Sequence, residues 1–165
     1  MTATKTGVAL NWGGFDKALG KAGHKLGDTQ ALMESVGDAL VSGTLKRFSD
    51  QEDPQGKHWE PSARAAEEGG ETLTKTGTLR KSIDYAATSD KVMVGSNLPY
   101  ARIHQKGGTI KPKKAKKLVF KGRGGKKVAV DEVTIPARPY LGVSADDMKE
   151  VRETISDFLA GTFKP

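Results

Sequence analysis

Gly95-Ser96-Asn97-Leu98-Pro99-Tyr100-Ala101-Arg102-Ile103-His104-Gln105-Lys106-Gly107-Gly108 sets the pattern for the whole chain. Three glycines, a proline and an asparagine crowd around a short apolar ladder. Asn97 and Pro99 can start a helical turn, because Asn caps well and Pro is tolerated at the first helical position. Tyr100, Ile103 and Gly107 follow at i, i+3 and i+7, with His104 four residues after Tyr100 on nearly the same side. Gly107 suits the left-handed residue that closes such a turn. The spacing predicts a strand ending at Gly95, one capped turn anchored by a buried Tyr100, and release at Gly108. Ile135-Pro136-Ala137-Arg138-Pro139-Tyr140-Leu141-Gly142 is a second corner of the same character. Its two prolines hold the backbone extended around Arg138, and Tyr140 is a second aromatic anchor.

Upstream, Asp28 is an N-cap candidate, and Leu32, Val36, Leu40, Gly43, Thr44 and Phe48 trace one face at helical spacing. A helix to about Phe48 follows, with Gly37 and Gly43 allowing another backbone to come close. Ser49 to Gly77 reads as a long loop with a helical turn near Trp59–Ala66. Leu79 to Ile83 reads as another turn. Ile83–Ala87 and Val92–Gly95 are strands joined through Thr88-Ser89-Asp90. Residues 1–27 form a Gly-rich N-terminal segment in which Val8, Leu10 and Trp12 alternate as in a short strand. Phe15, Leu19 and Ala22 have the spacing of one or two helical turns.

Downstream, Leu118-Val119-Phe120 and Val128-Ala129-Val130 flank a Gly-rich tip, which predicts a flexible hairpin. Thr134-Ile135 can extend a third strand. Ser144 with Asp147 forms a capping box, and Met148, Val151, Ile155, Phe158 and Leu159 give the face of a closing helix that Gly161 ends. The expected class is α+β, two main helices with a small antiparallel sheet. Residues 28–165 make a single domain carrying a basic hairpin at 111–130.

Composition narrows the function. The chain has 165 residues, 36% of them hydrophobic, and 20 glycines, enough for one real core with much loop. No run of about 18 apolar residues exists, which excludes a spanning helix, and the start lacks a signal-peptide pattern. With no cysteine, disulfides and thiolate metal sites are excluded, and a reducing compartment fits. The net charge of +7 is uneven. Lys111, Lys113, Lys114, Lys116, Lys117, Lys121, Arg123, Lys126 and Lys127 contribute +9 without an intervening acid, leaving −2 for the other 148 residues.

No motif points to catalysis. His24, His58 and His104 lie in unrelated segments without metal-ligand spacing, and His104 reads as a structural hydrogen-bonding residue. There is no nucleophile elbow. Glu67-Glu68 and Asp146-Asp147 read as solvated charge or a helix start favouring acids. Gly122 to Lys127 lacks the spacing and hydroxyl of a phosphate loop. The expectation is a non-enzymatic protein without cofactor or metal. The basic segment can be a solvated edge that resists aggregation, a contact for DNA phosphates, or a dock for an acidic protein surface. Sequence-specific reading of DNA lacks a recognition helix.

Tyr100-Ala101-x-x-His104-Gln105-x-Gly107, followed by Ile135-Pro136-Ala137-Arg138-Pro139-Tyr140-Leu141-Gly142, resembles the phage virion morphogenesis family, the tail-completion proteins of Mu-like phages. Phe48, Pro54, Gly56 and Trp59 match a third element of that family. Thr76-Gly77-Thr78-Leu79-Arg80-Lys81-Ser82-Ile83 matches a fourth. The resemblance covers roughly Leu26 to Leu159. It implies a structural protein of the virion tail or neck, assembled in the host cytoplasm. It further implies a homo-oligomeric ring, with six copies favoured, that joins tail tube to head and head–tail connector. Genomic DNA would pass its lumen without being read, and the Lys-rich segment is the candidate contact. The alternative from another class is a sequence-independent nucleic-acid-binding protein that uses this segment as its arm.

Overall fold

The computed structural model describes residues 6–9, 29–122 and 125–162. Its hub is helix α1, Thr29–Asp50. Leu32, Val36, Leu40, Thr44 and Phe48 are buried on the face that the periodicity marks, and Met33, Ala39 and Arg47 widen it. The helix stops where Gln51 turns left-handed, at φ +60°. Its side chain serves the exposed helix end, Nε2 donating to Phe48 O. Oε1 accepts from Thr72 N at 2.6 Å, which pins the following loop against the helix. The candidate cap Asp28 and the turns expected around Phe15, Leu19 and Ala22 lie outside the described residues.

In the loop, an isolated bridge joins Glu52 to His58. The short helix α2, Ala63–Glu68, begins after Trp59 rather than at it, because Ser62 is the cap and its Oγ accepts from Ala65 N. Trp59 is instead buried in extended chain. Helix α3, Thr78–Lys81, follows a left-handed Gly77.

The main sheet is antiparallel. Strand β1 is Thr6–Ala9, β2 is Ile83–Ala87 and β3 is Val92–Ser96, in the order β1-β3-β2. Ile83 pairs with Ser96 and Ala87 with Val92. Burial alternates along β3, with Val92, Val94 and Ser96 inward, as a sheet with one covered face requires. Strand β1 includes Val8 of the expected alternation, whereas Leu10 and Trp12 lie outside the described residues. Helix α1 packs on β2 and β3. The tolerance at Gly37 and Gly43 serves side chains, not a second backbone. A Cβ at Gly37 would lie 2.4 Å from the Tyr85 ring, and one at Gly43 would lie 1.8 Å from Asp147 Oδ1.

After β3 come helix α4, Ala101–Lys106, and strand β4, Gly108–Ile110. Strands β5, Leu118–Lys121, and β6, Lys127–Val130, form a hairpin. Strand β7, Val133–Ile135, returns to pair with β4. Thr134 and Ile135, expected in a further strand, lie in β7, which forms a pair separate from the hairpin.

Helix α5, Ala145–Thr162, opens with the reciprocal capping box and packs on α1. Ser144 N donates to Asp147 Oδ2 at 2.7 Å, and Asp147 N donates to Ser144 Oγ at 3.0 Å. The helix runs through Gly161 rather than ending there. A single glycine in a last turn costs only about 1 kcal/mol relative to Ala, too little to force a stop. Among the described residues, no helix is long and apolar enough to cross a membrane.

Candidate functional site

Three of the four motifs, drawn from residues 48 to 142, converge on one junction at the end of α1. Phe48 is fully buried and meets Trp59 edge-on, with ring centroids 5.7 Å apart. On its other side lies Tyr140, at 5.1 Å. Trp59 Nε1 donates to Pro139 O at 3.0 Å, so the indole satisfies its one polar group while packing. Tyr140 is 0% exposed, and its hydroxyl donates to Ala101 O at 2.9 Å. Burial pushes its phenol far above the ordinary tyrosine range.

Gln105 is the clamp between the two corners. Its Oε1 accepts from Tyr140 N at 3.0 Å and Leu141 N at 2.9 Å. Its Nε2 donates to Leu141 O at 2.8 Å. One amide thus replaces the strand partner that the proline-interrupted segment cannot have, since Pro136 and Pro139 lack N–H groups. Arg138 N donates to His104 O at 2.8 Å, and Arg138 Nε donates to Glu60 O at 2.7 Å. Gly107 is left-handed at φ +67°, and a Cβ there would come within 2.7 Å of Ala137 N. The two corners touch through backbone at that point, which explains the glycine twice over. Gly142 faces Pro54 so closely that a Cβ would meet its ring at 2.4 Å. Gly56 has φ +78° in the turn that Asp53 Oδ1 braces by accepting from Gln55 N and Lys57 N. Leu79 and Ile83 enter the same core.

Three expectations fail here. Tyr100 is 41% exposed and not an anchor. Helix α4 has six residues and buries only Ala101, whose carbonyl accepts from the Tyr140 hydroxyl. Tyr100 packs edge-on against His104 at 6.0 Å instead. Asn97 does not cap the turn either. No side chain caps α4 at Tyr100, and Ser96 Oγ accepts from Leu98 N at 3.1 Å. His104, expected to be a hydrogen-bonding residue, has a buried Nδ1 without a partner among the described residues. Burial and the nearby Arg138 charge both lower its pKa. His58 is exposed, and His24 lies outside the described residues. Among the described residues, no group of three or more His, Asp or Glu is placed to hold a metal.

One central feature escaped the sequence reading. Arg47 and Asp147, 5% and 3% exposed, form an ion pair at 2.6 Å. Arg47 also donates through Nε to Tyr140 O at 2.9 Å. Its Nη2 donates to Thr44 Oγ1 at 3.0 Å and Gly142 O at 3.1 Å. The carboxylate expected to be solvated is therefore buried, because the capping box places it over Gly43 and beside Arg47. The available signal was an arginine beside the apolar stripe, next to Phe48.

The basic segment is arranged differently from a uniform hairpin. Lys111, Lys113, Lys114, Lys116 and Lys117 sit on the bent connection from β4 to β5; only Lys121, Lys126 and Lys127 belong to the hairpin. Pro112 and a run of like charges give that connection no ladder to join. Arg123 lies outside the described residues. All eight lysines are exposed. Lys111 pairs with Glu132 at 3.1 Å and Lys117 with Asp131 at 3.7 Å, exposed pairs of small energetic weight. The tip closes through Gly122 N to Lys126 O at 2.8 Å and Gly125 N to Gly122 O at 3.1 Å. Leu118 pairs with Val130 and Phe120 with Val128, so these four apolar residues share one face. Val119 is 64% exposed and Phe120 44% exposed.

Comparison with known proteins bears on what this scaffold carries. A family model described as the phage virion morphogenesis family matches residues 10–160. Mu-like prophage FluMu G protein 2 of Haemophilus influenzae is 31% identical over 127 residues, 77% of this chain and 75% of that protein. Protein G of Escherichia phage Mu, whose name refers to capsid assembly, is 31% identical over 135 residues, 76% of each chain. No solved structure matches the chain.

Proposed function

The chain belongs to the phage virion morphogenesis family, and from that premise we propose that its part in virion assembly is tail completion. In this reading, copies close into a ring of six on the end of the tail tube and stop its growth. The ring then presents a face to the head–tail connector. Genomic DNA passes through the lumen without sequence reading. The motif junction supplies the rigid body that such a ring needs. Its hydrogen bonds lock the segments around Gln105, Arg47 and Tyr140 into one unit.

The observation that carries the reading is the β5–β6 arm with its lysine-rich connection. It leaves apolar and basic groups on the outside of an otherwise near-neutral domain. Large exposed apolar surface marks interaction sites, and dense positive charge selects anionic partners.

The test is electron microscopy of particles produced without this protein. Tails of irregular length, or tails and filled heads left unjoined, are expected. Normal joined particles overturn the reading. Native mass spectrometry of the protein with tail-tube protein should show the closed oligomer. Retention of DNA by the isolated chain at moderate salt would favour the nucleic-acid-binding reading instead, since a channel lining holds DNA only weakly and with steep salt dependence.

A further inference from the structure

The hairpin of β5 and β6 is a two-stranded unit with one apolar face, formed by Leu118, Phe120, Val128 and Val130. Among the described elements its strands pair only with each other. Such a ribbon is marginal in water unless something covers that face. Its surroundings restrict the cover. Lys113, Lys114 and Lys116 stand exposed on the connection beside it, and none of them forms an ion pair among the described residues. A surface that covers the arm must therefore be apolar where it meets the strands and acidic at their flank.

The chain itself carries a matching acidic surface. Between the C-terminal end of α1 and the N-terminal end of α5 lies a groove of about 240 Å³. Six carboxylates line it, from Asp50, Glu52, Asp53, Asp146, Asp147 and Glu150, against two cations, Lys46 and Arg47. Asp147 is committed to Arg47 and Asp50 to Lys46. Glu52, Asp146 and Glu150 face the groove without a salt-bridge partner of their own among the described residues. Pro54, Gly43 and Ala145 supply uncharged wall.

We propose that the part-exposed apolar face of the β5–β6 arm, where Phe120 is exposed and Leu118, Val128 and Val130 are half-buried, is covered by a second copy of this chain, with Lys113, Lys114 and Lys116 set against that copy's acidic groove. This rests on the ring reading and names its joint. The contact is heterologous, arm to groove, so each copy offers one of each and the chain of contacts can close. Charge complementarity of this kind sets register and partner choice, and it weakens as salt rises. Duplex DNA satisfies the lysines but leaves the apolar face bare, so it is the poorer occupant.

A charge swap in the full chain tests the proposal. One variant carries Lys113→Glu, Lys114→Glu and Lys116→Glu. A second carries Glu52→Lys and Glu150→Lys, both at groove positions outside the motif junction. Each alone is expected to weaken self-association at least tenfold by analytical ultracentrifugation, with the thermal unfolding of the monomer unchanged. The chain carrying both sets is expected to recover association. A third variant, Phe120→Ser, should weaken association without altering its salt dependence. If the arm and groove variants assemble like the parent, the ring stands and the joint is wrong. Loss of association by both without recovery in the combined chain also overturns the joint. If the parent stays monomeric with and without tail-tube protein, the ring reading itself falls, and this inference with it.

Discussion

Replacing Arg47 by Met should expose how the motif junction is held. Methionine keeps much of the aliphatic stem but removes every donor. Asp147 is then left buried at 3% exposure with its charge uncompensated, and the carbonyls of Tyr140 and Gly142 lose their donors. Breaking a buried ion pair from one side costs about 3–5 kcal/mol, and each orphaned buried carbonyl adds to that. A loss of about 4 kcal/mol is expected, a large share of the roughly 5–15 kcal/mol that holds a domain together. The melting temperature should fall by about 10 °C for a chain of this size. Asp147→Asn is the informative partner, because the amide oxygen can still accept from Ser144 N while the charge is gone. If the unpaired charge dominates, the double variant is more stable than Arg47→Met alone, by about 1–2 kcal/mol. Urea titration with a constant m-value reads all three variants. A cost below about 1 kcal/mol for Arg47→Met, or a double variant weaker than the single, refutes the reasoning.

The two tyrosines should separate cleanly in denaturant titration. Tyr140→Ala should cost about 3–5 kcal/mol and Tyr100→Ala about half a kcal/mol, so equal losses would contradict the burial difference. His104 gives a pH signature. Its folded pKa is lowered by burial and Arg138, so the unfolded chain takes up the proton first. Its contribution is complete above about pH 6.5 and is lost as pH falls through the folded value. His104→Gln should flatten the stability–pH slope below about pH 6.5, and an unchanged slope would remove histidine from the account. Replacing Lys113, Lys114, Lys116 and Lys117 with Gln should leave the melting temperature unchanged or slightly higher, since only the weak Lys117–Asp131 pair is lost. Calorimetry showing a clear fall would mean that the connection helps to hold the fold.

Much of the fold was legible because it depends on neighbours a few positions apart. The stripe from Leu32 to Phe48, the Ser144–Asp147 capping box, the hairpin of Ile83–Ala87 with the strand from Val92, and the left-handed Gly107 all follow from period, cap and turn chemistry. The motif residues of the junction were legible too, but only as separate stretches. Their contacts were not. Gln105 binding the backbone of Tyr140 and Leu141, and Trp59 donating to Pro139, join segments 36 and 80 residues apart.

The sequence alone therefore determined the two main helices, the pairing strands Ile83–Ala87 and Val92–Ser96, the α+β class and the concentration of charge between Lys111 and Lys127. Tertiary structure decided which groups those elements bring together. Arg47 meets Asp147 across a hundred residues, a pairing that no local spacing encodes. Two tyrosines in similar corners have opposite fates, because burial depends on which side of a turn faces the core. The lysines divide between a bent connection and a hairpin because β4 takes its partner from Val133–Ile135, a choice made by strand pairing at a distance. Local chemistry acts within a turn or two of chain, whereas burial and pairing are properties of the closed fold.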